Sequence, residues 1–183
     1  MKNTIINIEK GKGCHLQKCK KTDIHLLLQI AHQSYREHYQ YLWKDKGEGY
    51  IKSSYNAEAF AAEIADSKVL VYFILVGQEV CGFLKLNLQS SFEKYEPEAV
   101  MEVERIHLLK AATGKGVGTT VMAAVAQIAI AHNKKVIWLK TMDSSKAVSF
   151  YQKCGYEVCG KANLKIEELF QEYQGQWIMK KLL

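Results

Sequence analysis

Hydrophobic residues recur at two spacings along this 183-residue chain, and the changes of spacing mark its predicted strands and helices. Alternating or continuous runs of β-branched and aromatic residues predict strands, which fall at residues 14–19, 69–76, 80–88, 100–109, 136–141, 156–162 and 177–182. Apolar residues three and four positions apart predict helices, which fall at residues 24–35, 56–66, 119–133 and 145–154. Candidate N-caps are Thr22 or Asp23, then Asn56, then Ser144 or Ser145, and Gly155 suits the end of the last helix.

The order of these elements predicts how the strands pair. The Gly77-Gln78 turn joins residues 69–76 and 80–88 into an antiparallel hairpin. The helix at residues 119–133 links two strands, and a right-handed crossover of this kind makes those strands parallel. We therefore expect one parallel pair in an otherwise antiparallel sheet.

Three segments lack a clear period. Residues 1–13 fit either a short strand or a mobile tail, and residues 166–173 form an acidic amphipathic stretch of undefined structure. Residues 39–55 are aromatic and polar, with two glycines, which predicts a loop or a broken helix.

Composition narrows the class of protein. A formal charge of +6 is spread along the chain without a dense basic cluster, so neither a nucleic-acid nor a membrane partner is expected. The five cysteines lack zinc-finger spacing, so no metal is expected. No signal-peptide core or bilayer-length apolar run is seen, which favours a cytoplasmic protein with reduced thiols.

Candidate chemistry centres on a turn with alternating glycines, Gly114, Gly116 and Gly118, placed where the strand period gives way to the helix period. The first N–H groups of a helix are unpaired and carry partial positive charge, so Gly116 to Thr120 can present donors to phosphate oxygens. A Walker loop fails because no Gly-Lys-Thr occurs, and a dinucleotide fingerprint fits poorly because the required acidic residue is missing. A tight turn without a ligand remains an alternative.

Three segments in the second half of the chain, residues 104–109, 113–118 and 147–156, have a recognisable order and spacing. Together they resemble the GNAT superfamily of N-acetyltransferases. Thr113-Gly-Lys-Gly-Val-Gly118 resembles its coenzyme A signature, although Thr113 replaces the usual Gln or Arg. The preceding residues 104–109 and the segment Ala147-Val-Ser-Phe-Tyr-Gln-Lys-Cys-Gly-Tyr156 extend the resemblance over about the C-terminal half of the chain. Ser144 departs from the Asn that the family often has seven residues before its Tyr.

The resemblance implies an α/β fold, called α+β in some schemes. Residues 1–183 would form a single acetyltransferase domain with a mixed, mostly antiparallel sheet of six to seven strands, about four helices, and one parallel strand pair that forms the coenzyme A cleft. Acetyl-CoA would be the co-substrate. It would be held by Leu108, Thr113, Gly114, Lys115, Gly116, Val117, Gly118, Thr119 and Ser144.

The resemblance also implies a reaction. A primary amine of a small molecule, such as a polyamine, an antibiotic or an amino acid, or of a peptide or protein, would attack acetyl-CoA directly. The aromatic residues of segment 39–55, namely Tyr41, Trp43, Tyr50 and Tyr55, are candidates for the acceptor wall. A homodimer is left open. The rival readings are an acyl-CoA sensor without catalysis and a nucleotide-binding protein.

Such a transfer needs a base for the ammonium group and an acid for the departing thiolate. The resemblance implies that Tyr151 is the acid. Strand alternation places Glu102 and Glu104 on one face and His107 on the other. Two alternatives stay open for these glutamates. Burial in the cleft would raise the pKa of either one toward that of a base, whereas pairing with Arg105, Lys85 or solvent would leave it a structural carboxylate. His107 is a rival base.

Overall fold

A computed structural model describes residues 5–7 and 13–183 of the chain. These residues form one eight-stranded sheet with the spatial order β1-β2-β3-β4-β5-β6-β8-β7. The strands are β1 (Ile5–Asn7), β2 (Cys14–Lys18), β3 (Val69–Val76), β4 (Glu79–Asn87), β5 (Val100–Leu108), β6 (Val136–Met142), β7 (Glu157–Asn163) and β8 (Gly175–Leu182).

Helices cover both faces of the sheet. They are α1 (Ile24–Tyr39), α2 (Glu48–Ser54), α3 (Ala57–Ala65), α4 (Val117–Ala131) and α5 (Ala147–Lys153). Side chains of α4 and α5 pack in one core cluster, and side chains of α1, α2 and α3 pack in another. Strand β3 contributes Tyr72 to the first cluster and Phe73 to the second, so its continuous apolar run reflects burial on both faces.

The predicted fold class is confirmed. Among the described residues, β5 and β6 are the parallel pair, and the other pairings are antiparallel. The counts exceed the prediction by one strand and one helix, and both fall where alternatives were open. Ile5–Asn7 pairs with β2 as a short edge strand, and the segment at residues 39–55 contains α2. The alternative of a mobile tail concerns positions that, apart from 5–7 and 13, lie outside the described residues.

Strands β5 and β6 separate after a short contact. Their pairing ends at Glu102 and Trp138. Beyond that point β5 continues along β4 to Leu108, while β6 continues along β8 to Met142. The two strands therefore diverge into a V-shaped opening, which leaves the main-chain edge of the second half of β5 unpaired on the side of β6.

A β-bulge changes the direction of side chains in this second half. Lys85 pairs with Arg105 and Leu86 pairs with Val103, so Glu104 is an extra residue with no partner in β4. Such an extra residue disturbs the ladder locally and changes which face the following side chains occupy.

Candidate active site

The glycine turn has the backbone shape that its sequence predicts. Gly114 and Gly116 adopt φ angles of +72° and +83°, which side chains with a Cβ rarely tolerate. Helix α4 starts directly after Gly116, and its first internal hydrogen bond runs from the Thr120 N–H to the Gly116 carbonyl. The N–H groups of Val117, Gly118 and Thr119 precede that bond, so they are the free donors of the helix start.

Space above the turn is open. A Cβ built on Gly114 or Gly116 would meet nothing within 4 Å, whereas one built on Gly118 would lie 3.2 Å from the Phe150 ring. Gly118 therefore lets α5 approach α4, and the other two glycines leave room for a ligand.

A cavity of about 860 Å³ lies at this opening, and we call it the glycine cleft. Its wall combines the turn, the end of β5, the last turn of α1 and the start of α5. It consists of His38, Tyr39, Ile106, Leu108, Thr113, Gly114, Gly116, Gly118, Thr119, Lys146, Ala147, Phe150 and Tyr151.

Three residues from the predicted cofactor set do not line the glycine cleft. Lys115 and Val117 face a separate cavity of about 450 Å³ on the other side of the turn, and Val117 is buried in the core. Ser144 is exposed in the turn before α5. Its neighbour Ser145 has the local structural role, because its hydroxyl accepts a hydrogen bond from the Ala147 N–H at 3.1 Å.

Tyr151 is fixed by the way α5 ends. The Gly155 N–H donates to the Gln152 carbonyl and the Tyr156 N–H donates to the Tyr151 carbonyl, with Gly155 at φ +86°. This is a Schellman motif, which normally brings the two flanking side chains together. The Tyr151 and Tyr156 rings are indeed 6.0 Å apart, so the sequence signal at Gly155 also positions Tyr151.

A second cavity, of about 260 Å³, adjoins the first, and we call it the aromatic pocket. Side chains from segment 35–55 form one wall, and β5, β6, the segment at residues 145–151 and the segment at residues 164–176 form the rest. Of the aromatic residues predicted for an acceptor wall, Trp43, Tyr50 and Tyr55 line it. Tyr41 does not, because it is exposed and its ring lies against Tyr173.

The two cavities share one wall. Tyr39, Ile106, Ala147 and Tyr151 line both of them. Tyr151 is 8% exposed, and burial raises the pKa of its hydroxyl well above the ordinary value. At neutral pH the hydroxyl is therefore protonated and can act as a donor at the junction.

Four charged side chains form a closed ring beside the aromatic pocket. Lys85 lies 2.7 Å from both Glu63 and Glu104, and Arg105 lies 2.9 Å from Glu63 and 3.1 Å from Glu104. Glu104 is the most exposed member, at 28% of its side chain, and it is the carboxylate of the ring that lines the pocket. The ring thus presents one carboxylate edge to the cavity.

The glutamates differ from the expected base. Burial alone would raise the pKa of Glu104, but the hydrogen bond from Lys85 and the charge of Arg105 outweigh it, so the pKa is lowered. Of the two alternatives for Glu104, the raised pKa is therefore contradicted, and the pairing with Lys85 and Arg105 is present. Glu102 shares the Asn87 amide with Glu104, accepts from Ser90 at 3.4 Å, and does not line the aromatic pocket.

The position predicted for His107 is also wrong. Glu102 and Glu104 do share a face, but the bulge at Glu104 returns His107 to that same face, where its ring stacks on Phe83 at 5.1 Å. Burial and the positive charge of Arg105 lower the pKa of His107 to about 3. His107 lines the aromatic pocket as a neutral ring.

Several lining residues were not singled out from the sequence. His38 and Tyr39 line the glycine cleft because α1 extends to Tyr39, and Lys146 lines it from the turn before α5. The four-residue spacing of Tyr35 and Tyr39 was a usable signal for the longer helix. Nothing comparable marked Lys146.

Within residues 5–7 and 13–183, no cluster of three metal-ligating side chains is found. No helix in the same residues is both long enough and apolar enough to cross a membrane.

The two adjoining cavities share the wall at Tyr151, and one of them lies at a helix start, so the site has room for two ligands side by side. A family model, described as the acetyltransferase (GNAT) family, matches residues 28–156, which is well over half of the chain. The chain therefore belongs to the GNAT family of acetyltransferases.

Individual relatives agree with this assignment. An N-acetyltransferase of Lactobacillus delbrueckii subsp. lactis, described as uncharacterized, is 29% identical over 108 residues, which is 58% of this chain. The match spans 62% of that relative's length.

Solved structures share the fold at low identity. The PaiA N-acetyltransferase of Thermoplasma acidophilum, in complex with coenzyme A, has a TM-score of 0.74 at 20% identity, covering 93% of this chain and 99% of that one. A variant of the spermidine N-acetyltransferase SpeG of Vibrio cholerae has a TM-score of 0.68 at 17% identity, covering 92% and 93%.

Proposed function

We propose that the protein is an N-acetyltransferase that moves an acetyl group from acetyl-CoA to a primary amine by direct attack in a ternary complex. The observation that carries the proposal is the shared wall at Tyr151, where the glycine cleft and the aromatic pocket meet. A thioester at this junction would be in reach of an amine on the other side.

The glycine cleft would hold acetyl-CoA. Its pyrophosphate would accept hydrogen bonds from the free N–H groups at the start of α4, where the helix dipole also favours negative charge. The pantetheine arm would run along the exposed edge of β5 near Leu108, which β6 leaves unpaired beyond Glu102. The open space above Gly114 and Gly116 fits this use.

The aromatic pocket would hold the amine. The ammonium group first loses one proton to solvent, and the neutral nitrogen attacks the thioester carbonyl carbon. The carbon–sulfur bond then breaks with its electron pair moving to sulfur, and the nitrogen releases a second proton to solvent as the amide forms. Tyr151 would donate its hydroxyl proton to that sulfur and recover a proton from solvent. Glu104, which is ionised, would attract and orient the ammonium group.

No strong internal base is assigned. The lowered pKa values of Glu104 and His107 make both groups poor proton acceptors. The reactive species would be the neutral amine, so kcat/KM for the amine should rise by about tenfold per pH unit below the amine's own pKa. Neither Glu104 nor His107 should add an inflection between pH 6 and 9.

The test is release of free thiol from acetyl-CoA in the presence of a panel of primary amines, including spermidine, followed across this pH range. Melting temperatures with coenzyme A and with ATP accompany it. Coenzyme A at a hundredfold excess over its Kd should stabilise the protein by about 2.7 kcal/mol. Stabilisation by ATP but not by coenzyme A would contradict the proposal, and stabilisation by coenzyme A with no amine turned over would favour an acyl-CoA sensor.

A further inference from the structure

The aromatic pocket restricts the amine that it can receive, and this inference rests on the proposed function. Its volume of about 260 Å³ is less than a third of the 860 Å³ of the glycine cleft. Pockets for drug-sized ligands usually hold ~300–1,000 Å³. The part of the acceptor that enters must therefore be small.

Flat rings form much of the wall. Tyr50 stacks on Tyr35 at 5.1 Å and on Trp43 at 5.2 Å, with interplanar angles of 25° and 29°. Tyr39 and Tyr50 are only half-buried, so part of each ring is left uncovered beside the cavity. Aromatic faces and edges of this kind favour another ring in stacked or edge-on contact.

Negative charge, by contrast, is scarce in the pocket. The charged residues on its wall are Glu104, Arg105 and Lys140. Glu104 already accepts hydrogen bonds or ion pairs from Lys85, Asn87 and Arg105. In and around the ring there are three carboxylates, Glu63, Glu102 and Glu104. They are matched by three cations, Lys85, Arg105 and Lys140. One partly exposed carboxylate edge remains, which suits one ammonium group.

We propose that the acceptor is a small primary monoamine with a flat aromatic body, an arylalkylamine, and that the site discriminates against diamines and polyamines. The ammonium group would lie at Glu104 and the ring among Tyr39, Tyr50 and Trp43. A second ammonium group would enter a wall that has no carboxylate left for it, and an unpaired charge in such a site is costly.

Three amines separate the two parts of this proposal. Hexylamine and 1,6-diaminohexane differ only by the second amino group, and phenethylamine replaces the flexible chain by a ring. We expect kcat/KM to be highest for phenethylamine, and to fall at least about tenfold from hexylamine to 1,6-diaminohexane, which corresponds to ~1.4 kcal/mol. Equal or better use of the diamine or of spermidine would overturn the proposal.

Matched variants test the causes. Lys140→Glu supplies a carboxylate on the wall and should raise the relative use of the diamine about tenfold, whereas Lys140→Met should raise it less. Tyr50→Leu should lower kcat/KM for phenethylamine more than for hexylamine, and so remove the preference for the ring. Unchanged ratios in both Lys140→Glu and Tyr50→Leu would contradict the proposed roles of charge and ring.

Calorimetry on the coenzyme A complex ranks the same three amines by binding alone. The order should again be phenethylamine, hexylamine, diamine. This order without any thiol release would support the acceptor class while contradicting catalysis. Thiol release with the diamine preferred would support catalysis while contradicting the acceptor class. The two proposals can therefore fail separately.

Discussion

The glycine cleft and the aromatic pocket are built in opposite ways. The core of the glycine cleft comes from one continuous stretch, Leu108 to Thr119, and its donors are main-chain groups released by glycine and by a helix start. The aromatic pocket is built from side chains of segments that lie far apart in sequence, from Tyr35 to Gln176. When main-chain groups supply the donors, a site can keep its ligand although the side chains at its exposed positions differ. When side chains form the wall, a substitution alters which ligand fits.

The largest expected effect is the loss of coenzyme A binding in the glycine cleft, with the aromatic pocket left intact. Gly116→Val places a branched side chain at φ +83° in the open space above the turn, so coenzyme A binding measured by calorimetry should be lost. Gly77→Val is the matched control, because Gly77 has φ +62° and equally open surroundings in the β3–β4 turn. Both variants should lose similar stability, and unchanged affinity in folded Gly116→Val would remove the site assignment.

The next effect concerns the wall that the two cavities share. Tyr151→Phe keeps the ring and removes the proton donor, so kcat should fall about 10²- to 10⁴-fold with little change in KM for acetyl-CoA. Tyr156→Phe is the control. The Tyr156 hydroxyl is buried and has no hydrogen-bond partner among the described residues, and Tyr156 lines neither cavity. Wild-type turnover by Tyr151→Phe would make Tyr151 a packing residue.

A third prediction tests how much the ring of four charged side chains beside the aromatic pocket stabilises the fold. Lys85→Met leaves Glu63 and Glu104 with one cation between them in a largely buried ring, which should cost ~3–5 kcal/mol of unfolding free energy in urea titrations. Lys180→Met breaks the pair with Glu93 at 3.2 Å nearer the surface and should cost much less. Similar losses in the two variants would show that the ring is not the stabilising unit.

The smallest effect is a pH dependence of stability that arises in the aromatic pocket. The pKa of His107 is about 3 in the folded protein and 6.5 ordinarily, so below pH 6.5 the unfolded chain takes up a proton that the folded protein does not. Stability should therefore fall as pH falls from 6.5 toward 3, by at most about 1.4 kcal/mol per pH unit for this one group.

The variant His107→Gln should lessen that slope between pH 7 and 5, where the carboxylates contribute little. His25→Gln, a change at an exposed histidine of α1, is the control. Urea titrations at several pH values measure both. An identical slope in wild type and His107→Gln would mean that His107 gains its proton in the folded state as readily as in the unfolded one.

The sequence was sufficient where local chemistry sets the structure. The parallel strand pair, the glycine turn and the end of α5 at Gly155 follow from residues close together in the chain, and all three are present. The extra residue at Glu104 carries no local signal, because it depends on how β5 meets β4. That single bulge explains the misplaced His107. Pairing of Glu104 with Lys85 and Arg105 was one of the sequence alternatives, but the closed ring was not foreseen, since Glu63 comes from the distant helix α3.

The shared wall also makes the two binding equilibria interdependent. A ligand in one cavity that moves or stiffens Tyr39, Ala147 or Tyr151 alters the surface offered to the ligand in the other. Thermodynamic reciprocity then requires that acetyl-CoA change the affinity for the amine by the same factor by which the amine changes the affinity for acetyl-CoA. A wall shared by two bound ligands thus sets a coupling free energy between them before any bond is made.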